Sequence, residues 1–157
     1  MEIEVVVEVP RGSGNKYEAD HRTGAITLDR PLSPALRYPT DYGYVPGTLG
    51  EDGDPLDALL LLEEPAFPGC HVRCRPVGLF RMRDEAGPDC KLVAVPHWDA
   101  RAELGDLSDS LLAVIRHFFE VYKDLDPDRH SEVLGWAERP AAEAELLAAR
   151  KRFVERA

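Results

Sequence analysis

The sequence predicts a mainly β (α+β) fold, in which a small closed or partly closed barrel is flanked by two α-helices. As far as about Pro96, short strand-like segments alternate with turns rich in Gly and Pro, which is typical of small barrels. Beyond that point the hydrophobic residues recur at helical spacing. No internal repeat and no Pro/Gly/Ser linker divides the sequence, so we expect residues 1–157 to form a single domain.

The strand predictions rest on alternation and on short apolar runs. In Glu2–Val9 the apolar residues Ile3, Val5, Val7 and Val9 fall on one face, opposite three glutamates. A hairpin is predicted around the turn at residues 21–24, and residues 31–46, rich in Pro, Tyr and Gly, are predicted to be irregular. The other predicted strands are Lys16–Asp20, Ala25–Arg30, Leu56–Leu62, Val72–Phe80 and Lys91–Val95.

Two helices are predicted in the last third of the chain. The first spans Asp109–Lys123, where apolar side chains recur at helical spacing and Asp106 or Ser108 can cap the N-terminus. The second begins at Pro140, a residue favoured in the first turn, and runs to about Glu155.

The charge balance limits the possible functions. A net charge of −10 repels a phosphate backbone, so we expect no nucleic-acid partner. The sequence has no run of eighteen apolar residues, so we expect no membrane partner, and the N-terminus does not resemble a signal peptide. Three cysteines, an odd number, indicate reduced thiols, and we therefore expect a cytoplasmic protein. The spacing of Cys70 and Cys74 fits one face of a strand better than half a zinc site.

A cluster of acids runs into the apolar segment Leu56–Leu62. Asp52, Asp54 and Asp57 lie within six residues, and neighbouring carboxylates repel one another unless a cation lies between them. A solvated acidic turn is the alternative, and it is less suitable for Asp57, which begins the apolar strand. An EF-hand is excluded, because Leu56 and Asp57 stand where that loop needs an oxygen ligand and a glycine.

Two further segments place an acid and a lysine on the same face of a strand. Asp89 and Lys91 are two residues apart, as are Lys16 and Glu18, and Asp84 stands at the other side of the turn that precedes Asp89. Taken alone, these pairs are equally consistent with cross-strand ion pairs that have no catalytic role.

Seven motifs together resemble the soluble family I inorganic pyrophosphatases, in the short bacterial form. The central motif is DGDPLD, and the match extends from about Val5 to Asp124. In chain order, the other motifs are EVP, NKYE, LDR, YPTDYGY, RDEAGPDCKLVAVP and HFFEVYKD.

This resemblance implies a five-stranded OB-like barrel that hydrolyses inorganic pyrophosphate to two orthophosphates. It implies three to four Mg²⁺ ions per site with substrate, a metal-activated water, and Asp54 as general base. The implied metal ligands are Asp52, Asp57, Asp84, Asp89 and Glu18. The implied substrate-binding residues are Lys16, Arg30, Tyr42, Lys91, Tyr122 and Lys123. Glu8 and Tyr38 are implied to support the site.

Some alternatives stay open at this point. Tyr122 fits a helix core, Arg30 a capped turn, and His21 an exposed turn, although His21 near the site is also compatible with the pattern. The segment after Asp124 is less basic than in the family, with Arg129 in the place of a lysine, so the resemblance gives this segment no site role. The family resemblance implies a homohexamer. Two rival functions are another metal-dependent phosphohydrolase and a non-catalytic OB-like cation-binding module.

Overall fold

A computed structural model describes residues 1–156, and five of its strands pair around a closed ring. The ring runs β1–β4–β5–β8–β6 and returns to β1, with β5 and β8 parallel and the other neighbours antiparallel. A separate hairpin is formed by β2 and β3, while β7 and β9 pair with β6 outside the ring. The strands are β1 (Ile3–Val9), β2 (Asn15–Ala19), β3 (Ile26–Pro31), β4 (Asp41–Tyr44), β5 (Asp57–Leu60), β6 (His71–Asp84), β7 (Gly87–Pro88), β8 (Lys91–Pro96) and β9 (Ser131–Glu138).

Two α-helices cover the ring on different sides. Helix α1 (Asp109–Val121) begins after Ser108, whose side chain accepts a hydrogen bond from the Leu111 amide, and it buries Phe118 and Phe119. Helix α2 (Arg139–Arg156) buries Ala142, Leu146 and Ala149. The mainly β fold with a five-stranded ring and two flanking helices is therefore confirmed.

Each helix covers its own half of the hydrophobic core. The α2 half contains Val5, Val7 and Leu60, and the α1 half contains Leu59, Phe80 and Val93. Leu59 and Leu60 are neighbours in β5 and point to opposite faces, which explains why this strand is apolar at consecutive positions. A strand buried on both faces is a rigid support for the polar residue at its end, Asp57.

A glycine permits the close approach of β1 and β4. A Cβ at Gly43 would lie 2.0 Å from the carbonyl oxygen of Val6, a distance that no side chain can accept. This close contact places β4, and with it Tyr42, directly beside the mouth of the ring.

Besides the two-residue β7, the structure contains two strands that the sequence prediction lacked. Residues 41–44 form β4 within the segment predicted to be irregular, because neighbouring strands supply hydrogen bonds on both sides of a short, Gly-containing stretch. Residues 131–138 form β9, which the sequence did not predict, and Trp136 packs on Phe80 with ring centroids 4.8 Å apart. The predicted hairpin is confirmed, and β6 extends four residues beyond its predicted end, to Asp84.

None of the helices in residues 1–156 has the length and apolarity that crossing a membrane requires.

Candidate active site

One polar cavity of about 360 Å³ opens where the ends of β5 and β8 meet the β2–β3 hairpin and the C-terminal end of α1. Carboxylates and cationic side chains line it together, in a chain that is otherwise strongly acidic. The lining carboxylates are Glu8, Glu18, Asp54, Asp57, Asp84 and Asp89, and the lining cations are Lys16, Lys91, Lys123 and Arg129. The acids that the sequence singled out in separate segments thus converge on a shared space.

The centre of the cavity wall is a buried lysine between two carboxylates. Lys91 is 1% exposed, and its Nζ lies 3.1 Å from Asp89 Oδ2 and 3.2 Å from Asp57 Oδ2. Asp57 and Lys91 are register partners in the parallel β5–β8 pair, so the backbone ladder itself places them together. The Tyr42 hydroxyl donates to Asp57 Oδ2 at 2.7 Å and accepts from Lys91 Nζ at 2.7 Å.

This network shifts the titration of its members. Burial alone would lower the pKa of Lys91, but the nearby Asp89, Tyr42 and Asp57 outweigh it and raise that pKa well above its usual value. Burial raises the pKa of Asp89, an effect that Lys91 partly offsets and the Asp57 charge strengthens. The pKa of Tyr42 is also raised by burial, so it stays protonated and available as a donor.

The acidic turn before β5 is held in a defined conformation. Gly53 has φ +91°, a left-handed conformation that favours glycine, and the Asp54 amide donates to Asp52 Oδ1 at 3.0 Å. Asp52 lines a separate small cavity of about 10 Å³ with Asp57 and Asp89, and Asp54 faces the main cavity. Burial, together with the charges of Asp89 and Asp57, raises the pKa of Asp52 to about 6.

The β2–β3 hairpin supplies a second group of polar residues. The Ala19 amide donates to Glu8 Oε2 at 2.8 Å, which joins the hairpin to β1. Glu8 is 6% exposed, and burial raises its pKa to about 7. Lys16 Nζ lies 2.9 Å from Glu18 Oε1, so the predicted pairing of these two side chains is present at the cavity.

The end of α1 closes the remaining side. Lys123 follows the helix and its Nζ lies 3.2 Å from Asp84 Oδ2, at the end of β6. Tyr122 packs on Phe118 and Phe119 and also lines the cavity, so it contributes both to the core and to the site. Tyr38 is buried beside Tyr42, with ring centroids 5.6 Å apart, and it lines the same cavity.

The donor set fits a hard divalent cation in its chemistry. Carboxylate oxygens are the ligands that Mg²⁺ prefers; burial first, and neighbouring carboxylate charges second, raise the pKa values of Asp52, Asp89 and Glu8, and a bound cation would counter both effects. Within residues 1–156, however, no group of three or more His, Cys, Asp or Glu side chains is arranged to hold one ion. Lys91 instead forms ion pairs with both Asp57 and Asp89, so a cation placed between these two carboxylates would have to displace the Lys91 ammonium group.

One predicted substrate-binding residue lies outside the cavity lining. Arg30 forms ion pairs with Asp126 and Asp29, although it is the register partner of Lys16 in the hairpin. The Arg30 Nη2 atom is buried and has no hydrogen-bond partner in the described structure. The ion pair with Asp126 also ties the segment after α1 to the hairpin.

Six lining residues were absent from the predicted site: Tyr17, Ala19, His21, Pro55, Phe119 and Arg129. His21 is an exposed turn residue, as predicted, but it stands at the cavity and packs against Tyr44 with ring centroids 4.4 Å apart. Arg129 is exposed, and its replacement of a lysine after the last matching motif was the only sequence signal for it. Nothing in the spacing of Tyr17 and Phe119 distinguishes them from core aromatic residues.

Known proteins resemble this chain over nearly its whole length. The family model described as inorganic pyrophosphatase matches residues 5–154. The inorganic pyrophosphatase of Streptomyces coelicolor is 55% identical over 157 residues, covering 98% of this chain and 96% of the relative.

Solved structures agree with the sequence comparison. An inorganic pyrophosphatase from Coxiella burnetii superposes with a TM-score of 0.93 at 44% identity, covering 97% of this chain and 95% of the other. The inorganic pyrophosphatase from Thermus thermophilus gives a TM-score of 0.93 at 46% identity, covering 97% and 91%. Together with the acid-lined cavity at the mouth of a five-stranded ring, these matches show that the chain belongs to the inorganic pyrophosphatases, a family of hydrolytic enzymes.

Proposed function

We propose that this protein is a Mg²⁺-dependent inorganic pyrophosphatase, which hydrolyses inorganic diphosphate to two orthophosphates. The observation that carries the proposal is the lining of the main cavity, where six carboxylates and four cationic side chains face the same 360 Å³. A site for a free carboxylate or for a neutral ligand would not need both charges in such number. A site for a polyanion together with its divalent cations does.

The proposed metal ligands are the acids at the ends of the ring strands and in the hairpin. Asp52, Asp57 and Asp89 lie around the small cavity and the mouth of the ring, while Asp84 and Glu18 approach from β6 and from β2. When bound, Mg²⁺ ions supply Lewis acidity, which lowers the pKa of water and neutralises charge on diphosphate. The number of ions, three or four with substrate, follows the family resemblance.

The cationic and phenolic residues would hold the two phosphate groups. Lys16 lines the cavity from β2, Lys123 from the segment after α1, and Lys91 from the start of β8 beside Tyr42. Lysine ammonium groups and phenolic hydroxyls donate to phosphate oxygens and offset the charge that develops on the leaving phosphate. Tyr122 would add a further donor, and Tyr38 and Glu8 would support the arrangement. Arg30 fits this role only if it exchanges its partner Asp126 for substrate.

Asp54 is the proposed general base. It faces the main cavity from an exposed turn, where its carboxylate can accept a proton from the attacking water and return that proton to solvent. The backbone of this turn is fixed by the hydrogen bond from the Asp54 amide to Asp52, which orients the side chain without burying it.

Phosphate release from diphosphate, with and without Mg²⁺ and with EDTA, tests the proposal. We expect release that depends on Mg²⁺ and stops with EDTA. A clear preference for ATP over diphosphate would instead support another phosphohydrolase. Binding of Mg²⁺ without any release of phosphate would support a non-catalytic cation-binding module.

We further propose that the enzyme acts in the cytoplasm and assembles as a homohexamer, as the resemblance implies. Exposed apolar side chains such as Phe67 and Trp98, 69% and 70% exposed, are compatible with contacts between copies. Light scattering with size-exclusion chromatography measures the assembly. A monomer at micromolar concentration would contradict this part of the proposal.

A further inference from the structure

The acidic turn before β5 is attached to the C-terminal helix at a single residue. The Leu49 amide donates to the Ala149 carbonyl at 3.0 Å, and the Leu49 carbonyl accepts from Arg152 Nε at 2.8 Å. Both backbone groups of Leu49 are therefore bonded to α2. Leu49 and Arg152 are 103 positions apart along the chain, so these are tertiary contacts and not local turn geometry.

The contact continues directly into the turn that carries Asp52. The Gly50 amide donates to the Asp54 carbonyl at 2.7 Å, and the Gly53 amide donates to the Gly50 carbonyl at 3.2 Å. Because Gly50 follows Leu49, the position of the whole turn depends on where α2 holds Leu49. The Asp52 carboxylate is close enough that a Cβ at Gly50 would lie 3.1 Å from its Oδ1.

Arg152 is itself oriented by a carboxylate on the same helix. Its Nη2 donates to Glu145 Oε1, and the two side chains are 29% and 20% exposed. Glu145 in turn lines the small cavity with Asp52, Asp57 and Asp89. A partly buried arginine that uses two nitrogens for two acceptors is a more rigid connection than a lysine in the same place.

Electrostatics explains why the turn needs such an anchor. Asp52, Asp57 and Asp89 line the same small cavity, and their mutual repulsion pushes Asp52, which lies within the turn before β5, away from the ring. Asp57 begins strand β5 and Asp89 leads into β8, so neither can move as freely. An anchor behind the turn keeps Asp52 close to the other two carboxylates before any cation is present.

We propose that Arg152 is a positioning residue for cation binding, which acts through Leu49 to hold the Asp52 turn against the ring. The inference rests on the proposed metal role of Asp52. Arg152 itself is not among the residues that line the main cavity, so it has no contact with substrate to lose.

Calorimetric Mg²⁺ titration without diphosphate tests this role in Arg152→Met, which keeps much of the apolar stem and removes both donors. We expect about tenfold weaker Mg²⁺ binding, at the lower end of what loss of an outer-sphere partner costs a metal site. We also expect faster hydrogen exchange at the Gly50 and Gly53 amides. The Mg²⁺ concentration for half-maximal activity should rise by the same factor, while kcat at saturating Mg²⁺ should stay unchanged.

The matched control is Lys151→Met, which removes the same charge from the next residue, 74% exposed on the same helix. Loss of a positive charge by itself makes the protein more attractive to Mg²⁺, so a purely electrostatic role for Arg152 predicts unchanged or tighter binding in both variants. Arg152→Lys can reach only one of the two acceptors, so its Mg²⁺ affinity should lie between those of wild type and Arg152→Met. If Arg152→Met does not fold, the Mg²⁺ affinity of Arg152→Lys tests the proposal by itself.

Two outcomes separate the inference from the proposed function. If Asp52→Asn binds Mg²⁺ as tightly as wild type, the metal role of Asp52 is wrong. If Asp52→Asn binds more weakly but the Arg152 variants bind like wild type, with only a lower Tm, then Arg152 stabilises the helix and does not position the turn.

Discussion

The five-stranded ring and the peripheral β2–β3 hairpin both supply charged side chains to the main cavity, but they hold these side chains in different ways. We call the part of the cavity lining that the ring supplies the wall. In the wall, Asp57 and Lys91 are fixed by a parallel strand pair, and Lys91 is 1% exposed. In the hairpin, Lys16 and Glu18 are 22% and 57% exposed and belong to a separate two-stranded sheet. Buried charges depend on their partners for folding, whereas exposed ones are largely satisfied by water. Substitutions in the wall should therefore affect stability and activity together, and those in the hairpin activity alone.

The largest expected effect comes from an exposed residue that belongs to neither region. Asp54→Asn keeps the shape of the turn but removes the proposed base, and loss of a general base costs about 10²–10⁴-fold in rate. We expect kcat to fall by that factor, with Tm and Mg²⁺ affinity close to wild type. Steady-state kinetics at saturating Mg²⁺ and thermal unfolding measure the two quantities. A fall in kcat below about tenfold would remove Asp54 from the mechanism.

The wall is tested by Lys91→Met, which removes the ammonium group and keeps the apolar stem. Asp89 and Asp57 would then face each other without the intervening cation, and breaking a buried ion pair costs about 3 kcal/mol or more. Urea unfolding at neutral pH with EDTA measures this loss. The control is Arg116→Met, which breaks the exposed ion pair between Arg116 and Glu120 in α1. This control should change the free energy of unfolding by less than about 0.5 kcal/mol. Equal losses in the two variants would contradict the distinction between buried and exposed charges.

Glu8 stands between the two regions, because it is a β1 residue that accepts a hydrogen bond from the hairpin. Its pKa in the folded protein is about 7, above the ordinary 4.5, so the folded state binds its proton more tightly than the unfolded state does. The stability that this group contributes is therefore fully present below about pH 4.5 and is lost as pH rises through about 7.

We accordingly expect Glu8→Gln to match wild type near pH 4.5 and to exceed it by about 1–3 kcal/mol at pH 8 without divalent cations. Unfolding by urea across this pH range, with EDTA present, measures the difference. A constant difference at all pH values would mean that Glu8 does not titrate in this window. The same variant is expected to lose activity, so the stability gain would mark a carboxylate kept for function at a cost in stability.

The sequence predicted the strand ends that form the wall better than it predicted the neighbouring strands β4 and β9. Asp57 and Lys91 each begin an apolar strand, so their position at a strand end was readable from local pattern alone. Strand β4 was missed because its four residues form a strand only through pairing with β1 and β5. Strand β9 was missed in the same way, since its register depends on the long β6.

Contacts between side chains that are distant in the sequence also could not be predicted from local sequence patterns. The pairing of Arg30 with Asp126 joins residues 96 positions apart, and no spacing rule connects them. The family motifs named the acids but did not show that Lys91 lies between Asp57 and Asp89. Arg129 and His21 are exposed residues outside the strands and helices, so their place at the cavity depends on the paths of the segments that carry them.

The smallest effect on stability is expected in the hairpin. Lys16→Met removes an ammonium group that is partly exposed and already paired with Glu18 and Asp29. Stability should change by less than about 0.5 kcal/mol, because exposed ion pairs contribute little. The KM for diphosphate should rise about tenfold, equivalent to about 1.4 kcal/mol of binding, because one donor to a phosphate oxygen is lost. Steady-state kinetics at fixed free Mg²⁺, together with urea unfolding, measure both. A loss of stability as large as that of Lys91→Met would show that the hairpin is as integral to the fold as the ring, and that the two regions differ only in exposure.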